Sequence, residues 1–92
     1  MKISSFGTAV VLTADVNYIT PCDGYFQIGT SNSYGNNYAY GFVNGIILMT
    51  ATANAGTVYT TGYPNSSVFV RKGSTIKFTK GDDGTGKFYP LQ

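Results

Sequence analysis

Residues 67–80 read SVFVRKGSTIKFTK and carry the clearest structural signal in the chain. Lys72-Gly73-Ser74 is a turn signal between two runs rich in strand-forming residues. In residues 75–80 apolar and polar side chains alternate with the period of a β-strand, which predicts Ile76 and Phe78 on a buried face and Lys77 on the opposite face. The stretch therefore predicts two short antiparallel strands with one side against a core.

Turn signals recur every 8–12 residues on either side of this stretch, a spacing typical of sandwiches and barrels. Asn44-Gly45 is the strongest hairpin signal among them, and Pro90 indicates an edge or a strand end. Polar, Gly-rich loops are predicted at 31–37, 62–66 and 81–86. The predicted strands are 8–13, 17–20, 25–30, 38–43, 46–52, 57–61, 67–71, 75–80 and 87–91. The sequence thus predicts an all-β fold, an antiparallel sandwich of eight or nine short strands.

The 92 residues suffice for one domain, predicted over 1–92 with residues 1–7 as an N-terminal arm. A domain of this size has a thin core and often gains stability from disulfides, metals or oligomerisation. Cys22 is the single cysteine and there is no histidine, which excludes an internal disulfide and disfavours a tetrahedral metal site. Oligomerisation is therefore the expected source of additional stability.

The charge is small and unevenly distributed. The formal net charge is +2, and five of the six basic residues lie in the last quarter of the chain. These bases alternate with strand residues, so a solvated sheet face is preferred over nucleic-acid binding. The sequence contains neither the ~18 apolar residues of a membrane helix nor a clear signal peptide, so a protein made in the cytoplasm and not secreted by the usual route is expected.

The chain lacks the residue pairs that acid–base or nucleophilic catalysis requires. There is no His and no Glu, and Cys22 has no base to deprotonate it. Asp82 and Asp83 are adjacent acids, but they stand in a Gly-rich loop and are read as turn residues rather than a calcium site. The sequence predicts no enzyme, no cofactor and no metal.

Tyrosine and asparagine are concentrated between residues 25 and 40, where they indicate a binding surface. Tyr supplies flat amphipathic contact area and Asn supplies hydrogen bonds, so a sugar or another protein is a candidate ligand. The predicted contact residues of this loop are Asn32, Tyr34, Asn36 and Asn37. Tyr38 and Tyr40 are expected instead to pack within the domain or at a subunit contact.

Four fragments, taken in order, resemble a pattern of small β-domains in bacteriophage virion proteins. They are Tyr18-Ile19-Thr20-Pro21-Cys22-Asp23-Gly24-Tyr25-Phe26, Val43-Asn44-Gly45, Val68-Phe69-Val70-Arg71-Lys72-Gly73-Ser74-Thr75-Ile76 and Phe88-Tyr89-Pro90-Leu91. The same order resembles a shortened jelly roll of the C1q and tumour-necrosis-factor type. Ser74 departs from the pattern, which usually has Asp there.

The resemblance implies a jelly-roll sandwich that forms a homotrimer, with Tyr38, Tyr40, Tyr89 and Leu91 as candidate subunit contacts. It implies a virion protein assembled in the bacterial host cytoplasm, either a capsid decoration protein or the head of a fibre or tail appendage. The expected partners are further copies of the chain and other virion proteins, with no membrane. The alternative function is a carbohydrate- or receptor-binding module that uses residues 31–38 and takes a host surface glycan as ligand.

Overall fold

The computed structural model describes residues 7–30, 38–52, 65–81 and 84–91. These residues contain eight strands and no helix. The strands are β1 (Val10–Val11), β2 (Tyr18–Ile19), β3 (Gly24–Gly29), β4 (Tyr38–Val43), β5 (Ile46–Thr52), β6 (Asn65–Val70), β7 (Thr75–Lys80) and β8 (Thr85–Pro90).

The strands form two four-stranded antiparallel sheets. The first sheet has the order β1-β8-β3-β6 and the second has the order β2-β7-β4-β5. Each connection passes from one sheet to the other, except the β4–β5 hairpin, which stays within the second sheet. This strand order is that of an eight-stranded jelly roll, so the predicted fold class is confirmed.

The core lies between the sheets and follows the predicted alternation. Phe26 and Ile28 of the first sheet face Ile76 and Phe78 of the second, and all four side chains are buried. Gly86 faces inward on β8, where a Cβ would collide with the Phe78 ring. The aromatic core therefore needs glycine at that position.

Thr20, just after β2, joins the turn after β2 to the turn between β6 and β7. Its hydroxyl donates to the Arg71 carbonyl oxygen at 2.8 Å and accepts from the Ser74 amide at 3.0 Å. Its amide donates to the Ser74 carbonyl at 2.9 Å, and its carbonyl accepts from the Gly73 amide at 2.8 Å. Two of the four sequence motifs are thus bonded directly to each other.

The other two motifs join the same structure. The Leu91 amide donates to the Asp23 carbonyl at 2.9 Å, and Gly24 lies so close to the Tyr89 carbonyl oxygen that a Cβ would collide with it. The Asn44 amide donates to the Thr75 carbonyl at 2.8 Å, next to the β6–β7 turn. The four motifs therefore form one hydrogen-bonded cluster, here called the motif cluster.

The strand bounds differ from the sequence prediction at several ends. The sequence predicts loops at residues 65–66 and 85–86, but these residues pair with Ile28 and Gly29 of β3 and are strand residues. Only Val10 and Val11 of the predicted strand 8–13 form a ladder, opposite β8. The predicted loop 31–37 and strand 57–61 lie outside the described residues.

Pro90 occupies the terminal position that the sequence predicted. It is the last residue of β8, although β8 is an inner strand between β1 and β3. Proline lacks a backbone N–H, and its place at the strand end limits the loss of ladder hydrogen bonds. Its carbonyl oxygen accepts from the Gly7 amide at 2.7 Å.

Candidate functional site

The predicted binding loop falls outside the described residues. It comprises Asn32, Tyr34, Asn36 and Asn37, and it connects β3 to β4. The loop therefore remains a prediction from the sequence.

The four predicted subunit-contact residues lie at separate places on the fold. Tyr38 and Tyr40 are half-buried on the outer face of the second sheet, with ring centroids 5.1 Å apart. Tyr89 lies on the outer face of the first sheet, and Leu91 is half-buried just after β8. The structure thus brings Tyr38 and Tyr40 together and places Tyr89 on the opposite side of the sandwich.

An aromatic row, Tyr89–Tyr25–Phe69, crosses the outer face of the first sheet. Tyr25 is in register with both Tyr89 on β8 and Phe69 on β6. The Tyr25 and Phe69 rings meet edge to face at 5.6 Å between centroids, and these side chains are 40% and 44% exposed. A groove of about 320 Å³ on this face is lined by Tyr25, Tyr89, Gln27 and Ser67.

Period-two alternation along residues 25–30 predicts Tyr25 on the face opposite Phe26, but it does not predict this row. The reason is that β3 pairs with strands that are distant along the chain, and alternation within one strand does not reveal its cross-strand neighbours. The sequence feature that indicates the row is the strand alternation, which places both Tyr25 and Tyr89 on the outer face.

Strand β5 presents a second apolar surface at the edge of the second sheet. Ile46, Ile47 and Leu48 are 63%, 53% and 54% exposed, and within the described residues β5 pairs only with β4. The register shifts between Gly41 and Phe42, so Leu48 is an extra residue on β5. A bulge of this kind bends the strand and explains why three consecutive apolar side chains are exposed.

The Asp23 carboxylate and the Cys22 thiol lie in the turn between β2 and β3, where they contribute to the structure of the turn. The Asp23 carboxylate accepts a hydrogen bond from the Lys72 amide at 2.7 Å, and Cys22 is a half-buried free thiol in the same turn. Across 7–30, 38–52, 65–81 and 84–91, no three His, Cys, Asp or Glu side chains form a group that could hold a metal ion. The same residues contain no helix long and apolar enough to span a membrane.

Comparison with solved structures returns a distant likeness to a viral protein. Neither a family model nor a curated protein matches the chain. Among solved structures, the carboxy-terminal domain of A223, a structural protein from Sulfolobus turreted icosahedral virus, is 19% identical with a TM-score of 0.43. The match covers 98% of this chain and 92% of that chain. The jelly-roll assignment rests on the strand order and register of this chain itself.

Proposed function

We propose that the domain is a non-enzymatic structural component of a bacteriophage particle and that it works as a homotrimer. A capsid decoration protein and the head of a fibre or tail appendage are the two roles that fit. The observation that carries the proposal is the motif cluster. The four fragments that resemble phage virion β-domains occur in the expected order and are hydrogen-bonded together within a jelly roll.

The exposed apolar side chains support the trimer. A monomer of 92 residues has a thin core, and contiguous exposed apolar surface is typical of interaction sites. Here such surface occurs at two places, the β5 edge around Ile47 and the aromatic row around Tyr25. Burying both at subunit contacts would add the stability that the small core lacks.

The arrangement of these surfaces favours a particular contact. A cyclic trimer joins two different patches of each subunit, whereas contacts that do not close produce filaments. Patches on opposite faces of a sandwich, such as Tyr40 and Tyr89, would stack subunits without closing a ring. If the sheet edge of one subunit packs on the sheet face of the next, each subunit is rotated relative to its neighbour, and a ring of three subunits can close. We therefore assign the contact to the β5 edge of one subunit and the aromatic row of the next.

The oligomeric state is tested by light scattering of the purified protein over a range of concentrations. The wild type is expected at three times the 9.8 kDa chain mass, and Leu48→Lys or Phe69→Lys is expected at the chain mass because a buried unpaired ammonium is costly. Val11→Lys, at an exposed apolar position on β1 at the edge of the first sheet opposite β6, is the matched control and should remain trimeric. A wild type that is monomeric at micromolar concentration would contradict the trimer.

The location is tested on intact particles. Virus particles purified from cells that express this gene are expected to contain the chain in a fixed, repeated copy number, measured by quantitative mass spectrometry. Electron microscopy with an antiserum against the purified domain would distinguish capsid from appendage. A chain that is abundant in the lysate but absent from purified particles would rule out the virion role, whatever its oligomeric state.

A further inference from the structure

A polar cavity of about 560 Å³ lies on the outer side of the second sheet, on the opposite side of the sandwich from the aromatic row. Its lining comes from the residue before β2, the β4–β5 hairpin and the first half of β7. The lining residues are Asn17, Phe42, Asn44, Gly45, Thr75 and Lys77. Its volume lies within the range of small-ligand sites.

One wall of this cavity is held in place by reciprocal hydrogen bonds. The Asn44 amide donates to the Thr75 carbonyl at 2.8 Å, and the Asn44 side-chain oxygen accepts from the Thr75 amide at 3.0 Å. Because the Oδ1 atom is engaged, the side-chain Nδ2 group remains as a donor for a ligand. Asn44 and Gly45 both have positive φ, 52° and 83°, as a tight two-residue hairpin requires. The wall is therefore formed before any ligand arrives.

Lys77 gives the cavity its charge. Its Nζ atom lies 4.9 Å from the centroid of the Phe42 ring, a cation–π distance that holds the ammonium over the ring. Asp15 and Asp23, the acids of the described residues, do not line the cavity. The lining thus combines one positive charge with amide and hydroxyl groups, which is complementary to a negatively charged, hydroxyl-rich ligand.

We propose that this cavity binds a pyranose unit of a glycan that bears a single negative charge, a carboxylate or a sulfate ester. The Lys77 ammonium matches the charge, the Asn17, Asn44 and Thr75 side chains match the sugar hydroxyls, and Phe42 supplies the apolar wall. A phosphate monoester fits less well, because its charge of about −1.5 to −2 at neutral pH exceeds that of one ammonium. The six lining residues are not part of the β5 edge or the aromatic row assigned to the trimer contact, and the proposal does not rest on the virion role.

The experiment is an amide NMR titration of the full chain with methyl glucuronide, methyl galactoside 6-sulfate and neutral methyl glucoside. An anionic sugar is expected to bind with a Kd on the order of 1 mM, as suits a ligand of this size, and to shift the amides of the lining residues. Lys77→Met, which keeps an aliphatic stem, should weaken binding about tenfold or more. Lys87→Met is the matched control on the outer face of the first sheet and should bind like the wild type.

The two anionic sugars distinguish a carboxylate from a sulfate ester as the charged group, and binding of either one at the cavity supports the proposal. Three results would overturn it: no shift of the cavity amides with either anionic sugar, equal affinity for the neutral sugar, or equal affinity in a Lys77→Met protein whose spectrum remains dispersed and folded. None of these results depends on the particle or on the oligomeric state, so the virion proposal is tested separately.

Discussion

Thr20 shows how one polar side chain can connect two distant turns of a small β-protein. It is the buried polar residue of the described chain, 1% exposed, and its hydroxyl both donates and accepts across the motif cluster. Buried polar groups are retained when their hydrogen bonds are satisfied. At this scale the motifs that resemble virion domains are structural, because they hold turns together rather than present reactive groups.

Thr20→Val tests this role with little change of shape. We expect a loss of about 1–2 kcal/mol in the free energy of unfolding, because the Ser74 amide and the Arg71 carbonyl lose a partner. Thr50→Val, the same change at an exposed strand position, should alter stability by less than about 0.5 kcal/mol. Urea unfolding followed by tyrosine fluorescence measures both, and equal stabilities of the two variants would contradict the assignment.

Gly24 and Gly45 are required for different reasons: Gly24 leaves no space for a side chain, and Gly45 has a positive φ. Gly24→Ala places a methyl group against the Tyr89 carbonyl oxygen and the Phe88 ring, so a loss of about 3 kcal/mol or more is expected. Gly45→Ala meets no atom within 4 Å but must adopt a φ of +83°, which costs about 1–2 kcal/mol. Thermal unfolding of the two variants should rank Gly24→Ala well below Gly45→Ala, and the reverse order would show that packing at Gly24 is relaxed.

At the scale of elements, the edge strands β1 and β2 differ from the inner strands in length and in support. β3, β4, β7 and β8 have six residues each and ladders on both sides, whereas β1 and β2 have two residues and pair on one side. Cooperative opening costs least where ladders are short and exposed. β1 and β2 therefore depend on the inner strands for their position.

Hydrogen exchange tests this difference in the folded protein. Amides of β3, β4, β7 and β8 are expected to exchange at rates set by global unfolding, and those of β1 and β2 faster, through local opening. NMR-detected exchange at one pH and temperature provides both groups in one sample, so each serves as the other's control. Equal protection of β1, β2 and the inner strands would mean that the sandwich opens as a single unit.

At the scale of the whole molecule, the proposed trimer predicts that stability depends on association, because the core is thin and the β5 edge is exposed. Subunit binding stabilises the folded state by mass action, so the Tm of the wild type should rise with protein concentration. A tenfold increase in protein concentration should stabilise the folded trimer by roughly 1 kcal/mol per chain. For a domain of this size that corresponds to a rise in Tm of about 4–8 °C. Differential scanning calorimetry should find no such rise for Leu48→Lys, and a constant wild-type Tm would contradict obligate association.

The local structure of this protein follows from short-range patterns in its sequence. The alternation in residues 75–80 and 38–43 gave β7 and β4 with their observed bounds, and Asn44-Gly45 gave the hairpin, because period-two patterning and positive-φ turn residues act within a few positions. The resemblance of the motif order supplied the jelly roll. Strand ends such as Asn65 and Thr85 were missed, since their pairing with β3 is not encoded nearby in the chain.

The order of the strands, and with it the candidate surfaces, is visible in the three-dimensional fold but not in the local sequence. The aromatic row requires β6, β3 and β8 side by side, the exposed β5 residues require a bulge opposite Gly41 and Phe42, and the polar cavity combines residues from three separate segments. Local patterns specify which way a side chain points. The partners that it meets follow from long-range pairing, which depends on the packing of the two sheets as a whole.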